Sequence, residues 1–293
     1  RDDGDASQAS ARPFRRFRLT RWARVPVSVG VVSMATNVSS VGTLNHRRVR
    51  MAGRVVVITG ASGGIGAAVA ERQAAAGDRV VLVARNEARL KEVTARCGPQ
   101  AVVHVADVTD RIEVRRTVAA AVAKCGRIDV WINNVGQGIT RPPSELTDED
   151  LATMMRVNVL TALYGMQEVL PHFRDRGTGH LINISSMLGR LPYAVNRAAY
   201  TAAKHALNAL TADFRSEIAA DLPGVTVSLV SPGLVYTAFG KNAVHGGPLS
   251  ENSPNGQTPD QVAAVVERVI ETRAIDVYTR PESHEKVVAY FTA

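Results

Sequence analysis

The chain has 293 residues, of which 45% are apolar, with a formal charge of +8 and two cysteines. That is enough length and apolar content for one large α/β domain with its own core, and it excludes a chain too polar to collapse. Cys97 and Cys125 stand in neither a CxxC nor a metal-ligand spacing and read as free thiols of a reducing, cytoplasmic compartment; no stretch is long enough to span a membrane.

The positive charge is not spread evenly. Residues 1–50 hold ten arginines, no lysine and three aspartates, a net +7, which leaves +1 for the remainder. Such a segment suits nucleic acid, anionic lipid or a targeting peptide, with Arg15 and Arg16 as a twin-arginine pair and residues 25–35 as a short apolar region. Pro26 and Gly30 interrupt that region, which is too short for a bilayer. The favoured expectation is that residues 1–50 are a disordered leader or lie upstream of the true start, and that residues 51–293 form the catalytic domain. On this reading the folded part, close to neutral, has no nucleic-acid partner.

Residues 54–59 (RVVVIT) form a short β-branched run suited to a strand buried on both faces. The glycine-rich turn GASGGIG follows, with Gly60, Ser62, Gly63, Gly64, Ile65 and Gly66, and then an alanine-rich helix to about Ala76. Strand, glycine turn and helix in that order are what a dinucleotide phosphate site requires: close backbone approach and a helix start with unpaired N–H groups. Residues 79–84 are a second strand. Arg85 follows it with no acid before Glu87, which favours the 2′-phosphate of NADP over the 2′-hydroxyl of NAD.

A third strand at residues 101–105 leads to Asp107 and Val108, where the aspartate can accept from an adenine amino group or cap the next helix. A fourth, at 128–132, leads to Asn133, Asn134, Val135 and Gly136, a tight turn suited to a flat ligand. Residues 146–175 read as one long helix started by Thr147, Asp148 and Glu149, with the amide of Asn158 on an otherwise apolar stretch. The fifth strand covers 179–185, the sixth 225–230 and the seventh 275–279, with helices at about 198–220 and 259–272. Pro232, Gly233 and Thr237 follow the sixth strand. Residues 238–256, rich in Gly, Ser, Asn and Pro, have the composition of a substrate lid. This alternation predicts a doubly wound, Rossmann-type parallel sheet of about seven strands with helices on both faces.

The chemistry concentrates between Ser186 and Lys204. In a helix Tyr200 and Lys204, four residues apart, share a face. A cation near a phenol favours the phenolate and draws its pKa down from about 10 toward the working range. Ser186 emerges at a strand's carboxyl end, where it can orient a carbonyl.

Assembled, these motifs resemble the short-chain dehydrogenase/reductase family: TGASGGIG at residues 59–66, Asp107-Val108, NNVG at 133–136, Asn158, Ser186, YTAAK at 200–204 and PGLVYT at 232–237. Two departures are a valine in NNVG and an interval of 14 residues from Ser186 to Tyr200, one more than the commonest family spacing. The resemblance implies the short rather than the extended form. Tyr200 would be the general acid or base, with Lys204 tuning it and holding the nicotinamide ribose. Ser186 would bind the substrate oxygen, and Asn158 would place a proton-relay water.

For the cofactor, it implies that the glycine turn cradles the pyrophosphate, that Asp107, Val108, Asn134, Val135 and Gly136 hold the adenosine half, and that Pro232, Gly233 and Thr237 hold the nicotinamide end. It also implies a homodimer or homotetramer. The expected activity is NADP-dependent interconversion of a secondary alcohol and a ketone without a metal, the alternative being a catalytically silent NADP-binding sensor or scaffold. Leu188, Leu191, Pro192, Tyr193, Val195, Leu234 and Phe239 make the expected substrate wall apolar, while Arg190, Asn196 and Arg197 admit a polar or acidic group.

Overall fold

The computed structural model describes residues 53–248 and 254–293; the expected leader at 1–50 and part of the expected lid lie outside the described residues. Seven strands form one all-parallel sheet in the order β3-β2-β1-β4-β5-β6-β7. They are β1 (Val55–Thr59), β2 (Arg79–Ala84), β3 (Ala101–Val105), β4 (Val130–Asn133), β5 (Gly179–Ile184), β6 (Val225–Ser231) and β7 (Asp276–Tyr278). The order reverses between β1 and β4, and at such a switch point open α/β sheets leave a crevice for a ligand.

The two faces follow from the two-residue period of β1. Val56 and Ile58 enter one core, which is covered by α1 (Gly64–Ala75), α2 (Glu87–Cys97) and α7 (Pro259–Thr272). Val55 and Val57 enter the other, covered by α3 (Arg111–Cys125), α5 (Thr161–Arg176) and α6 (Ala198–Ile218). With both faces covered, the strands read as continuous apolar runs rather than alternating ones. A third cluster, of Ile139, Met154, Val159, Ala199, Tyr200 and Ala203, packs behind the end of α6 that carries the tyrosine.

Two elements differ from the sequence reading. The expected helix over 146–175 is three segments: α4 (Asp148–Met155), a π-helical stretch (Arg156–Leu160) and α5. Thr147 does start it, in a reciprocal capping box with Asp150. A further helix, α8 (Glu282–Thr292), closes the chain. Its signal was available: Glu282 and Glu285 in the first turn and an apolar set at Val288, Tyr290 and Phe291, although those three stay exposed and so the helix has little core to announce it. Among the described residues no helix is long and apolar enough to cross a membrane.

Candidate active site

The carboxyl ends of β1, β4, β5 and β6 bring the candidate residues to one edge of the sheet. At β1, Gly60 and Gly64 take φ values of +68° and +55°, conformations that L side chains rarely adopt. A Cβ on Gly66 would meet the Gly60 carbonyl oxygen at 2.5 Å and Asn134 Nδ2 at 2.6 Å, so only glycine lets α1 start this close to the turn. Helix α1 has no side-chain cap and no acid in its first turn, and a Cβ on Gly63 would meet nothing within 4 Å. Uncapped amides at an open, positive helix end are the donors an anionic pyrophosphate needs, so the residues present fit a dinucleotide. Thr237 stands over the same turn: its Cγ2 lies 3.2 Å from where a Cβ on Gly64 would be. The glycine loop and the segment after β6 therefore face one space.

Asn134 spends its amide on the turn itself, donating to the carbonyls of Thr59 at 3.0 Å and Gly60 at 3.3 Å. It ties the end of β4 to the end of β1 and sets where Val135 and Gly136 lie. Asp107 accepts from the backbone and the hydroxyl of Thr109, and the cap of α3 is Asp110, accepting from Ile112 N at 2.8 Å. Of the two roles open to Asp107, helix capping thus belongs to another residue. Val108 is buried beside it. Arg85 reaches Asp107 at 3.7 Å with its own side chain 78% exposed, a loose pair that leaves the guanidinium available.

Asn158 sits in the π-helical stretch and is fully buried. Its Nδ2 donates to the carbonyls of Gln137 at 2.9 Å and Met154 at 3.1 Å, while its Oδ1 accepts from Gln137 N at 3.1 Å. The wider turn is what lets a helical side chain reach back and fix the loop after β4. A Cβ on Gly136 would lie 3.0 Å from Asn158 Oδ1 and 3.6 Å from Lys204 Nζ, so these two polar atoms border a common gap.

Two adjacent serines, Ser185 and Ser186, follow β5 and are engaged differently. Ser185 is buried and hydrogen-bonds Asn208 at 2.5 Å, and Asn208 in turn donates to the Gly189 carbonyl at 2.7 Å. Ser186 opens the short 3₁₀ turn Met187–Gly189, accepting from Leu188 N at 3.1 Å, and its hydroxyl lies close enough to Tyr200 to favour the phenolate. Met187 N donates to the Pro232 carbonyl at 2.7 Å, locking this turn to the end of β6.

Tyr200 and Lys204 share one face of α6, with Nζ 5.7 Å from the ring centroid, and Nζ donates to the Ile184 carbonyl at 3.0 Å. Both are buried. The expectation that the lysine draws the phenol down is not met: burial is the largest influence on both groups and disfavours the charged form of each. It pushes the Tyr200 phenol up to about 12, against a hydrogen bond with Ser186 and the charge of Arg197, and pulls the Lys204 ammonium down to about 7. Arg197, three residues before Tyr200, is the cation that acts on the phenol.

Phe239 packs edge-on against Tyr200 at 5.4 Å between centroids, Leu188 packs partly buried against the same cluster, and Leu191 is buried. Tyr193, Val195 and Leu234 are exposed. Arg190 turns away to pair with Asp276. Sequence reasoning missed a contact on the segment expected to be a lid: His245 bonds Asp150 Oδ1 at 2.8 Å from 95 positions away, while Arg141, nine residues before Asp150, holds its Oδ2 at 2.8 Å, with no motif to mark them.

The family model described as short chain dehydrogenase matches residues 54–246. An uncharacterized oxidoreductase of Staphylococcus epidermidis is 37% identical over 184 residues, 63% of this chain and 79% of that protein. The 1,6-dihydroxycyclohexa-2,4-diene-1-carboxylate dehydrogenase of Pseudomonas putida is 32% identical over 246 residues, 83% of this chain and 87% of its own length. Among solved structures, an alcohol dehydrogenase from Thermococcus sibiricus complexed with 5-hydroxy-NADP superposes with a TM-score of 0.67 at 28% identity, over 77% of this chain and 95% of that one. With a parallel sheet in this strand order and an uncapped glycine turn at its switch point, the chain belongs to the short-chain dehydrogenase/reductase family and is an NAD(P)-dependent oxidoreductase.

Proposed function

We propose that this enzyme interconverts a secondary alcohol and a ketone, with NADP preferred to NAD. The observation that carries the reading is the meeting of Ser186 with a buried Tyr200 whose face is shared by Lys204. The cofactor supplies hydride chemistry; the chain supplies position and a proton. Ser186 orients the substrate oxygen and Tyr200 gives or takes the proton at that oxygen. Lys204 holds the ribose and, across the gap at Gly136, communicates with Asn158, which keeps the loop in place and borders the path of a relay water.

Gly60, Ser62, Gly63, Gly64, Ile65 and Gly66 cradle the pyrophosphate, Asp107, Val108, Asn134, Val135 and Gly136 serve the adenosine half, and Pro232, Gly233 and Thr237 the nicotinamide end. Preference for NADP is supported by Arg85, whose exposed guanidinium stands at the end of β2 with only Asp107 loosely against it. Leu188, Leu191 and Phe239 support an apolar substrate body. Exposed leucines on the helices that flank the site, Leu151 of α4 and Leu210 of α6, support pairing with a second copy, and the free thiols of Cys97 and Cys125 support a cytoplasmic setting.

The test is a panel of ketones and alcohols followed by absorbance of the reduced cofactor, with NADPH and NADH side by side. The reading expects ketone-dependent consumption of NADPH with a higher kcat/KM than for NADH. A panel in which neither cofactor is turned over with any ketone or alcohol overturns it.

A further inference from the structure

Arg197 acts on the Tyr200 phenol, and the carbonyl chemistry assigns its guanidinium no anionic partner. It stands at the N-cap position of α6 without capping it, three residues before Tyr200, so its side chain and the phenol lie on the same side of the helix. The backbone ties it to the loop after β4: Arg141 N donates to the Asn196 carbonyl, and Arg141 and Arg197 form an isolated parallel bridge. Its Nη1 donates to the Ile139 carbonyl at 2.9 Å.

Three glycines make room for the guanidinium. A Cβ on Gly138 would lie 3.0 Å from Nη1, one on Gly247 would lie 2.9 Å from Nη2, and one on Gly240 would lie 4.0 Å from Nη2. Gly240 and Gly247 belong to the segment expected to close over substrate. The Gly138 position also meets the Phe239 ring edge at 2.8 Å, and Phe239 packs on Tyr200. The cation is thus held between the reacting phenol, an apolar ring and glycine backbone.

Among the described residues no carboxylate answers it. Among the described residues Arg197 forms no ion pair, and the influences on it are its own burial, which lowers its affinity for a proton, and the Tyr200 phenol. A half-buried guanidinium is costly to desolvate without an anion, and its planar fork matches a carboxylate. A single cation with, among the described residues, no second one acting on it suits a single negative charge better than a phosphate, which normally collects several donors.

We propose that Arg197 receives a carboxylate on the substrate, so that the enzyme acts on keto acids or hydroxy acids whose remaining surface is apolar. This rests on the carbonyl chemistry assigned above to Tyr200. The distance between the two groups along the helix asks for a carboxylate a few bonds from the reacting carbonyl, in the same molecule. Leu188, Leu191 and Phe239 then pack against the body between them.

The experiment compares kcat/KM for matched pairs, an aryl or alkyl keto acid and its methyl ester, in the wild type, Arg197→Met and Arg197→Lys. The wild type is expected to favour the acid by about ten- to hundredfold, the range of a charge-assisted hydrogen bond. Arg197→Met should lower the acid-to-ester ratio by at least about tenfold, and Arg197→Lys should keep an intermediate ratio, which a purely structural arginine would not produce. A second readout needs no variant: a fatty-acid anion should inhibit the wild type competitively against the ketone, and the corresponding amide should not. Turnover of esters with no preference for acids, or an unchanged ratio in Arg197→Met, overturns this inference alone. Turnover of neither class overturns the carbonyl reading and this inference with it.

Discussion

Lys204 Nζ stands 5.7 Å from the centre of the Tyr200 ring while donating to the Ile184 carbonyl at 3.0 Å, so the ammonium is fixed by the end of β5 rather than by the phenol. The lysine is therefore placed before any partner arrives, and burial makes its charge costly, lowering its pKa to about 7.

That depression predicts a pH dependence of stability. From pH 7 to 9 the unfolded lysine, with a pKa near 10.5, stays protonated while the folded one loses its proton, so stability rises with pH across this window. The gain is on the order of 2 kcal/mol. Denaturant titrations of the wild type at the two ends of the window should show it, and Lys204→Met should remove it. Above pH 9 the sign turns, because burial raises Cys97 to about 11 and Tyr200 to about 12, and the folded state then holds the extra protons.

The same burial sets how the rate in each direction depends on pH. A phenol held up at about 12 is protonated at neutral pH and ready to donate. Ketone reduction should accordingly keep its rate through neutral pH, whereas alcohol oxidation, which needs the phenolate, should climb through the alkaline range. Initial rates in both directions against pH check this, and an oxidation rate that falls from pH 7 to 9 contradicts it.

The glycine turn separates fold from cofactor binding. Gly66→Ala puts a methyl 2.5 Å from the Gly60 carbonyl, a backbone collision that should cost stability and NADPH affinity together. Gly63→Ala meets no atom within 4 Å, in an extended conformation open to any residue, so its Tm should stay within about 2 °C while the methyl obstructs the approach of the pyrophosphate. Thermal melts paired with NADPH titrations distinguish the two.

Cofactor choice should follow one charge. Arg85→Asp sets a carboxylate beside Asp107 and the 2′-phosphate, and the ratio of kcat/KM for NADPH over NADH should fall by at least about tenfold or invert. An unchanged ratio removes Arg85 from the account.

Much of this was legible in the sequence because it is local. The β-branched run before Gly60, the stop at Pro232 and the cap at Thr147 each write their structure into adjacent residues. What was not legible depends on contacts far apart in the chain. Nothing near Asn158 announces that the helix widens there, and the widening goes with a bond to Gln137, 21 positions away. The bond that engages Ser185 with Asn208, 23 positions away, and the electrostatic balance at Tyr200, set by how deeply α6 is buried, are not revealed by spacing alone. Spacing suggested a lysine-tuned tyrosine; packing shows two groups whose charged forms burial disfavours, with Ser186 and Arg197 favouring the phenolate.

The central claim is that Tyr200 carries the proton. Its most direct test is the rate of ketone-dependent NADPH oxidation by Tyr200→Phe beside the wild type, with NADPH affinity measured on the same preparations. The account predicts a loss of about a hundred- to ten-thousandfold in turnover with affinity within a few-fold of the wild type. A Tyr200→Phe enzyme that keeps its turnover while binding NADPH normally would contradict it.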